Sequence, residues 1–264
     1  MFRTTEISDP SFESGHLRFI TVKTPNLKGR GDICVFVPPM DNLRDVPLVV
    51  LLHGVYGSAW VWSQKGGVHR TALQMIRDGE IPPMVIAMPS DGLWGDGSGY
   101  LPHNGLHFEK WIVEDVPQAV IENIAMVSEK SSQFISGLSM GGFGALRLGI
   151  KYSDRFKAVS AHSSITDLGQ MKMFVEEPLE NYRQGDGQEN SVWGVVEKYA
   201  GNLPKVRFDC GTEDELLEAN RELHRRLMVA NVAHTYEEFP GGHEWSYWQE
   251  HVQKSLGFFA ERLS

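Results

Sequence analysis

The stretch Gln133-Phe134-Ile135-Ser136-Gly137-Leu138-Ser139-Met140-Gly141-Gly142-Phe143-Gly144-Ala145-Leu146 joins a short β-rich run directly to a helical one. Gly137, Ser139 and Gly141 fit G-x-S-x-G, a pattern that means little away from a strand-to-helix turn. Here the turn is in place. Small residues on both sides let strand and helix approach closely, and a serine at the tip stands at the start of a helix. The free N–H groups and the helix dipole there favour negative charge. Ser139 is therefore the candidate nucleophile.

Working outward, the chain alternates short apolar runs with longer helical ones. Pro47 to Leu52 is continuously apolar, the mark of a strand buried on both faces. Met84–Met88, Gln133–Ser136, Lys157–Ala161, Val206–Cys210 and Thr235–Phe239 read as further strands. Helices are expected over Val68–Arg77, Phe108–Ser128 (kinked or started by Pro117), Met140–Lys151, Glu215–Ala230 and Trp245–Arg262. This order predicts an α/β fold with a mostly parallel central sheet and helices on both faces. Leu17–Val22 and Asp32–Val37 are closely linked and predict an antiparallel N-terminal edge. All of residues 1–264 read as one domain. The polar segment 166–203 breaks the rhythm and reads as an insertion over the C-terminal edge of the sheet, where ligands bind in open α/β sheets.

A serine hydroxyl needs a base. In this type of fold the order is serine, then an acid, then histidine. His243, in Pro240-Gly241-Gly242-His243, directly follows the last strand and is the base candidate, with His162 at another strand end as the alternative. Asp209, Glu213 and Asp214 lie around the end of the preceding strand. Asp214 is preferred because it sits in the loop just before the helix, although it also suits a helix cap. Acyl transfer further requires two N–H donors for an oxyanion. Met140, next after the serine, supplies one. Val55, in the turn His53-Gly54-Val55-Tyr56-Gly57, is expected to supply the other, with Tyr56 as the fallback.

Four segments carry a family resemblance. Ser136 to Leu146 is similar to G-x-S-M-G-G-x-G-A-L, and Asp209-Cys210-Gly211-Thr212-Glu213-Asp214-Glu215-Leu216-Leu217 to D-x-G-x-x-D-x-[FL]-L. Gly242-His243-Glu244-Trp245-Ser246-Tyr247-Trp248 resembles G-H-x-W-x-x-W, and Leu51-Leu52-His53-Gly54 an oxyanion strand. Together they resemble the esterase D-like α/β-hydrolases, a group that includes S-formylglutathione hydrolases, tributyrin-type carboxylesterases, feruloyl esterases and mycolyltransferases of the antigen 85 type. A fifth segment, Trp94 to Tyr100, resembles a Gly-rich loop of the S-formylglutathione hydrolases, but Leu138 stands where those enzymes carry a histidine.

The resemblance implies the α/β-hydrolase fold and a serine carboxylic-ester hydrolase. It would work through an acyl-enzyme with Ser139, His243 and Asp214, with Val55 as an oxyanion donor. It implies a small-molecule ester as partner and requires no cofactor or metal. A thioesterase or an acyltransferase using the same three residues is the rival activity. A non-catalytic ligand- or partner-binding protein is the rival of another class. Tyr56, Trp94, Tyr100, Trp193 and Trp245 are candidates for contacting substrate.

Composition limits the rest. The net charge is −9 and no Lys/Arg cluster stands out, which argues against nucleic acid and against anionic membrane surfaces. Cys34 and Cys210 lie in apolar strand-like runs and read as buried free thiols. The N-terminal residues lack an apolar core of the signal-peptide kind, and no apolar run reaches about 18 residues. A cytoplasmic protein is expected, with a homo-oligomer left open.

Overall fold

The computed structural model describes residues 2–263. Nine strands form one sheet: β1 (Thr5–Ile7), β2 (Leu17–Thr24), β3 (Gly29–Phe36), β4 (Leu48–Leu52), β5 (Val85–Pro89), β6 (Gln133–Leu138), β7 (Phe156–His162), β8 (Lys205–Gly211) and β9 (His234–Phe239). Their spatial order is β1-β2-β3-β5-β4-β6-β7-β8-β9. The pairs β1/β2, β2/β3 and β3/β5 are antiparallel, and every later pair is parallel. The antiparallel edge arises because β2 and β3 are joined by the short turn from Pro25 to Lys28, too short for a crossover. The strand β1 extends that edge and was not anticipated from the sequence; at three residues, with only one of them half-buried, it carries almost no pattern.

The six longer helices are α1 (Val68–Arg77), α2 (Val116–Asn123), α3 (Met140–Lys151), α4 (Val192–Lys198), α5 (Leu217–Val229) and α6 (Trp245–Ala260). They cover both faces. On one face, Val120 of α2, Phe143 and Leu146 of α3, Val195 of α4 and Leu223 of α5 share a core with Leu48, Val50, Leu52 and Ile135 of the sheet. On the other, Ala72 and Ile76 of α1 and Val252, Leu256 and Phe259 of α6 pack on Val49, Leu51 and Phe134. Successive side chains of β4 thus enter opposite cores, which is why that strand is apolar at every position.

One expectation needs correction. The helix expected over Phe108–Ser128 is a short turn at Phe108–Lys110, a π-helical turn at Trp111–Asp115 and then α2, which stops at Asn123 where Ile124 becomes extended. Pro117 directly follows the π-helical turn inside this helical run, and the Val113 carbonyl, four residues before it, accepts instead from the Arg155 guanidinium at 2.9 Å. The segment 166–203 holds 3-10 turns at Leu168–Met173, Leu179–Asn181 and Gly187–Asn190 before α4. Its far end is anchored by a buried ion cluster. Arg147 of α3, fully buried, pairs with Glu109 at 2.9 Å and with Glu189 at 3.1 Å, and Lys151 bridges the same two carboxylates. Burial raises the Glu189 carboxyl, but its bonds to Lys198 and the charges of Arg147 and Lys151 outweigh that and hold it at about 2.

Candidate active site

The turn between β6 and α3 is compact because three backbones meet there. A Cβ on Gly137 would lie 2.3 Å from the Gly141 carbonyl oxygen, and one on Gly141 would lie 2.5 Å from that of Leu52. Only glycine fits at either place. Between them Ser139 adopts φ 54°, ψ −120°, a conformation that side chains with a Cβ rarely take. Its N–H donates to the His162 carbonyl at 3.0 Å, and its own carbonyl accepts from Phe143 and Ile165. The strained turn is thereby tied to the end of β7.

His243 follows β9 and Asp214 follows β8. His243 Nε2 lies 3.0 Å from Ser139 Oγ, and Nδ1 lies 2.9 and 3.1 Å from the two Asp214 oxygens. The serine hydroxyl donates to Nε2, and Nδ1–H donates to the carboxylate. Asp214 is buried, which raises its carboxyl, yet the bond from His243 and the Leu216 N–H (2.8 Å) outweigh burial and hold it below the usual carboxylate range. Asp214 therefore meets both the histidine and the Leu216 N–H in the turn that leads into α5, without capping the helix itself. Phe174, from the segment 166–203, stacks on the His243 ring at 5.1 Å, and Trp248 meets it edge-on at 5.0 Å.

The other acids and bases are engaged elsewhere. Asp209 is fully buried and bonded to His162, Arg207 and Tyr247. His162 spends its second ring nitrogen on Ser255 at 2.7 Å, so the alternative base does not face Ser139 Oγ. Glu213 is exposed.

Beside Ser139 lies the turn after β4. Gly54 packs on Ser139: a Cβ there would sit 3.3 Å from Ser139 Cβ. The Tyr56 N–H donates to the Asp96 carbonyl at 2.8 Å, so this fallback donor is occupied, whereas the N–H groups of Val55 and Met140 have no protein acceptor among the described residues. His53 organises the turn. Its Nε2 accepts the Asp91 N–H at 3.1 Å, so Nδ1 carries the proton and donates to the Gly54 carbonyl at 2.6 Å. Gly57 has to be glycine, since a Cβ would fall 2.2 Å from that Nδ1.

A cavity of about 460 Å³ opens at Ser139 and His243, walled by Val55, Tyr56, Trp60, Phe174, Trp245 and Trp248, with Lys65 at its side. Of the five residues expected to contact substrate, Tyr56 and Trp245 line it. Three do not. Tyr100 is fully buried, and its hydroxyl donates to the His53 carbonyl at 2.9 Å, supporting the turn from behind. Trp94 packs edge-on to His103 and Tyr182. Trp193 lines separate grooves with Val196, Leu203 and Val232 on one side and Leu223 on the other. In each case the side chain is engaged by partners away from the cavity. Conversely, Phe174, Trp60 and His53 belong to the site without having been singled out for it; His53 stood within the Leu51–Gly54 motif, while nothing local distinguishes Phe174 from other loop aromatics.

Among the described residues no group of three or more His, Cys, Asp or Glu side chains is arranged to hold a metal ion, and no helix is long and apolar enough to cross a membrane. Cys34 and Cys210 are both buried and unpaired.

Comparison with known proteins places the chain in a family. The Esterase family model matches residues 24–259. The chain is 27% identical to an acetyl esterase of Caldicellulosiruptor saccharolyticus, over 93% of this chain and 92% of that one. It is 24% identical to the S-formylglutathione hydrolase of Bos taurus over 77% of each. In fold it matches a solved S-formylglutathione hydrolase of Agrobacterium tumefaciens with a TM-score of 0.81, covering all of both chains at 20% identity. The chain belongs to the Esterase family, within the esterase D-like α/β-hydrolases, and is a carboxylic-ester hydrolase.

Proposed function

We propose that Ser139, His243 and Asp214 are the catalytic residues, and that the N–H groups of Val55 and Met140 form the oxyanion hole. The observation that supports this best is the single hydrogen-bonded line from Asp214 through His243 to Ser139 Oγ, with donor–acceptor distances of 2.9 and 3.0 Å. His243 removes the serine proton as Oγ attacks the ester carbonyl. Asp214 keeps Nδ1 protonated and stabilises the imidazolium that forms. The developing oxyanion meets the two free N–H groups, one of them at the N-terminus of α3. His243 then gives its proton to the leaving alcohol, and in the second half-reaction it activates water against the acyl-enzyme.

The substrate is a small ester. The cavity's aromatic walls and modest volume fit one, and the similar acetyl esterase is named for that class of chemistry. We read the chain as one catalytic domain in which the segment 166–203 forms part of the cavity wall through Phe174. Two unpaired buried thiols fit a reducing, cytoplasmic location.

The test is hydrolysis of p-nitrophenyl acetate by the wild type and by Ser139→Ala. Loss of the nucleophile is expected to lower kcat by about a thousandfold or more. A variant that keeps a tenth of the activity overturns the assignment.

A further inference from the structure

The oxyanion turn does not hold itself. Tyr56 sits at φ 56°, an uncommon conformation for a bulky residue, next to the Val55 N–H that has to face the substrate. Such a conformation persists only where its surroundings over-determine it. Its N–H is fixed by the Asp96 carbonyl at 2.8 Å. Asp96, however, lies in an irregular loop between Gly95 and Gly97, with no strand or helix of its own to set its position. Three bonds from the segment 166–203 set it instead. Glu177 Oε1 accepts the Asp96 N–H at 2.9 Å, the Asp96 carboxylate accepts the Glu176 N–H at 2.7 Å, and the Tyr182 hydroxyl donates to the Gly97 carbonyl at 2.9 Å. Gly95 makes the approach possible, because a Cβ there would lie 2.1 Å from Glu177 Oε1. Gly97 in turn rests on both halves of the hole, with a built Cβ 2.5 Å from Met140 Sδ and 3.4 Å from Val55 Cγ1.

We propose that Glu177 is a positioning residue for the oxyanion hole: by holding the Asp96 N–H it fixes the Asp96 carbonyl, which holds the Tyr56 N–H and so aims the Val55 N–H at the reacting carbonyl. The proposal rests on the assignment of Ser139 and of the Val55 donor above. It makes the segment 166–203 part of the machinery as well as of the wall, because the same few residues carry Phe174 over His243 and Glu177 onto Asp96.

An oxyanion exists only in the transition state, so loosening its donor lowers kcat and leaves substrate binding alone. Glu177→Ala is expected to lower kcat on p-nitrophenyl acetate about tenfold, part of the roughly hundredfold loss that removing such a donor outright brings, with KM within about twofold of wild type. Glu177→Gln keeps an oxygen that accepts the Asp96 N–H, and is expected to recover at least about half the wild-type kcat. Glu177→Asp keeps the charge but falls a methylene short, and is expected to lose kcat as the alanine variant does. Circular dichroism establishes that each variant is folded, and Glu177→Asp serves alone if Glu177→Ala is not. Wild-type kcat in Glu177→Ala or Glu177→Asp overturns the proposal. So does a loss in Glu177→Gln equal to that in Glu177→Ala, or a rise in KM at constant kcat. Ser139→Ala, assayed alongside, separates the two levels. If it stays active, the catalytic assignment fails; if it is dead while Glu177→Ala is fully active, only the role of Glu177 fails.

Discussion

The backbone of Ser139 offers a test that does not depend on substrate. At φ 54°, ψ −120° its Cβ crowds the peptide groups on either side, and glycine alone takes this conformation without strain. Ser139→Ala and Ser139→Gly both delete the hydroxyl, the proposed nucleophile, but only the second deletes the Cβ. Releasing the strain at one such residue is worth about 2–3 kcal/mol, the upper part of the usual range. Glycine's greater freedom in the unfolded chain offsets about 0.5–1 kcal/mol of this. Loss of a buried methyl group offsets at most about 0.8 kcal/mol more, an upper limit here because the side chain faces the cavity. The balance leaves Ser139→Gly about 1 kcal/mol more stable than Ser139→Ala, or about 2–4 °C in Tm for a chain of this size. The assay is urea unfolding of the two variants side by side, followed by tryptophan fluorescence and compared at equal m, with thermal melts as a second measure. If Ser139→Gly unfolds at the same urea concentration as Ser139→Ala, or at a lower one, the turn is not strained and this reasoning is wrong.

Three further outcomes follow from the same geometry. In Asp214→Asn the amide N–H faces His243 Nδ1 and drives the ring proton to Nε2, against Ser139 Oγ; kcat on p-nitrophenyl acetate should fall by about 10³–10⁴ with little change in KM, and a loss under tenfold would count against Asp214 as the acid. Arg147→Met takes the buried guanidinium from the carboxylates of Glu109 and Glu189 and leaves them only lysines at the edge of the cluster and the hydroxyls of Tyr152 and Tyr199, so equilibrium urea unfolding should show a loss of about 3 kcal/mol, and an unshifted midpoint would mean the cluster is dispensable. Because the Glu189 carboxyl is held at about 2 when folded, against an ordinary value of 4.5, its ion pairs contribute in full above about pH 4.5 and lose their effect as the pH falls from there toward 2. The stability advantage of wild type over Glu189→Gln should therefore shrink across that window, and an advantage that is flat from pH 6 to pH 3 would contradict the shifted carboxyl.

Much of the fold was legible because it is written in short-range patterns. The continuous apolar run Leu48–Leu52 announces a strand covered on both faces, and Gly137, Ser139 and Gly141 announce a turn at which backbones touch. The expected order of Ser139, Asp214 and His243 needed only that each follow its own strand, since parallel strands deliver their ends to one edge. The structure brings these three together at hydrogen-bonding distance. Less legible were β1, too short to show a period, and the break after Asn123, where an apolar pattern continues past the end of the helix.

By itself, then, the sequence determined the elbow, the parallel sheet and the residues standing at its edge, because each depends on neighbours a few positions away. Only the tertiary structure decided what surrounds them. That Val55 offers a free N–H while Tyr56 does not depends on the Asp96 carbonyl, 40 residues further along the chain. That Phe174 and Trp60 line the cavity, while Tyr100, Trp94 and Trp193 are taken up by other partners, depends on which apolar faces meet once the chain has closed on itself. Side-chain type sets what a residue is able to do at a site; the packing of distant segments sets whether it is there to do it.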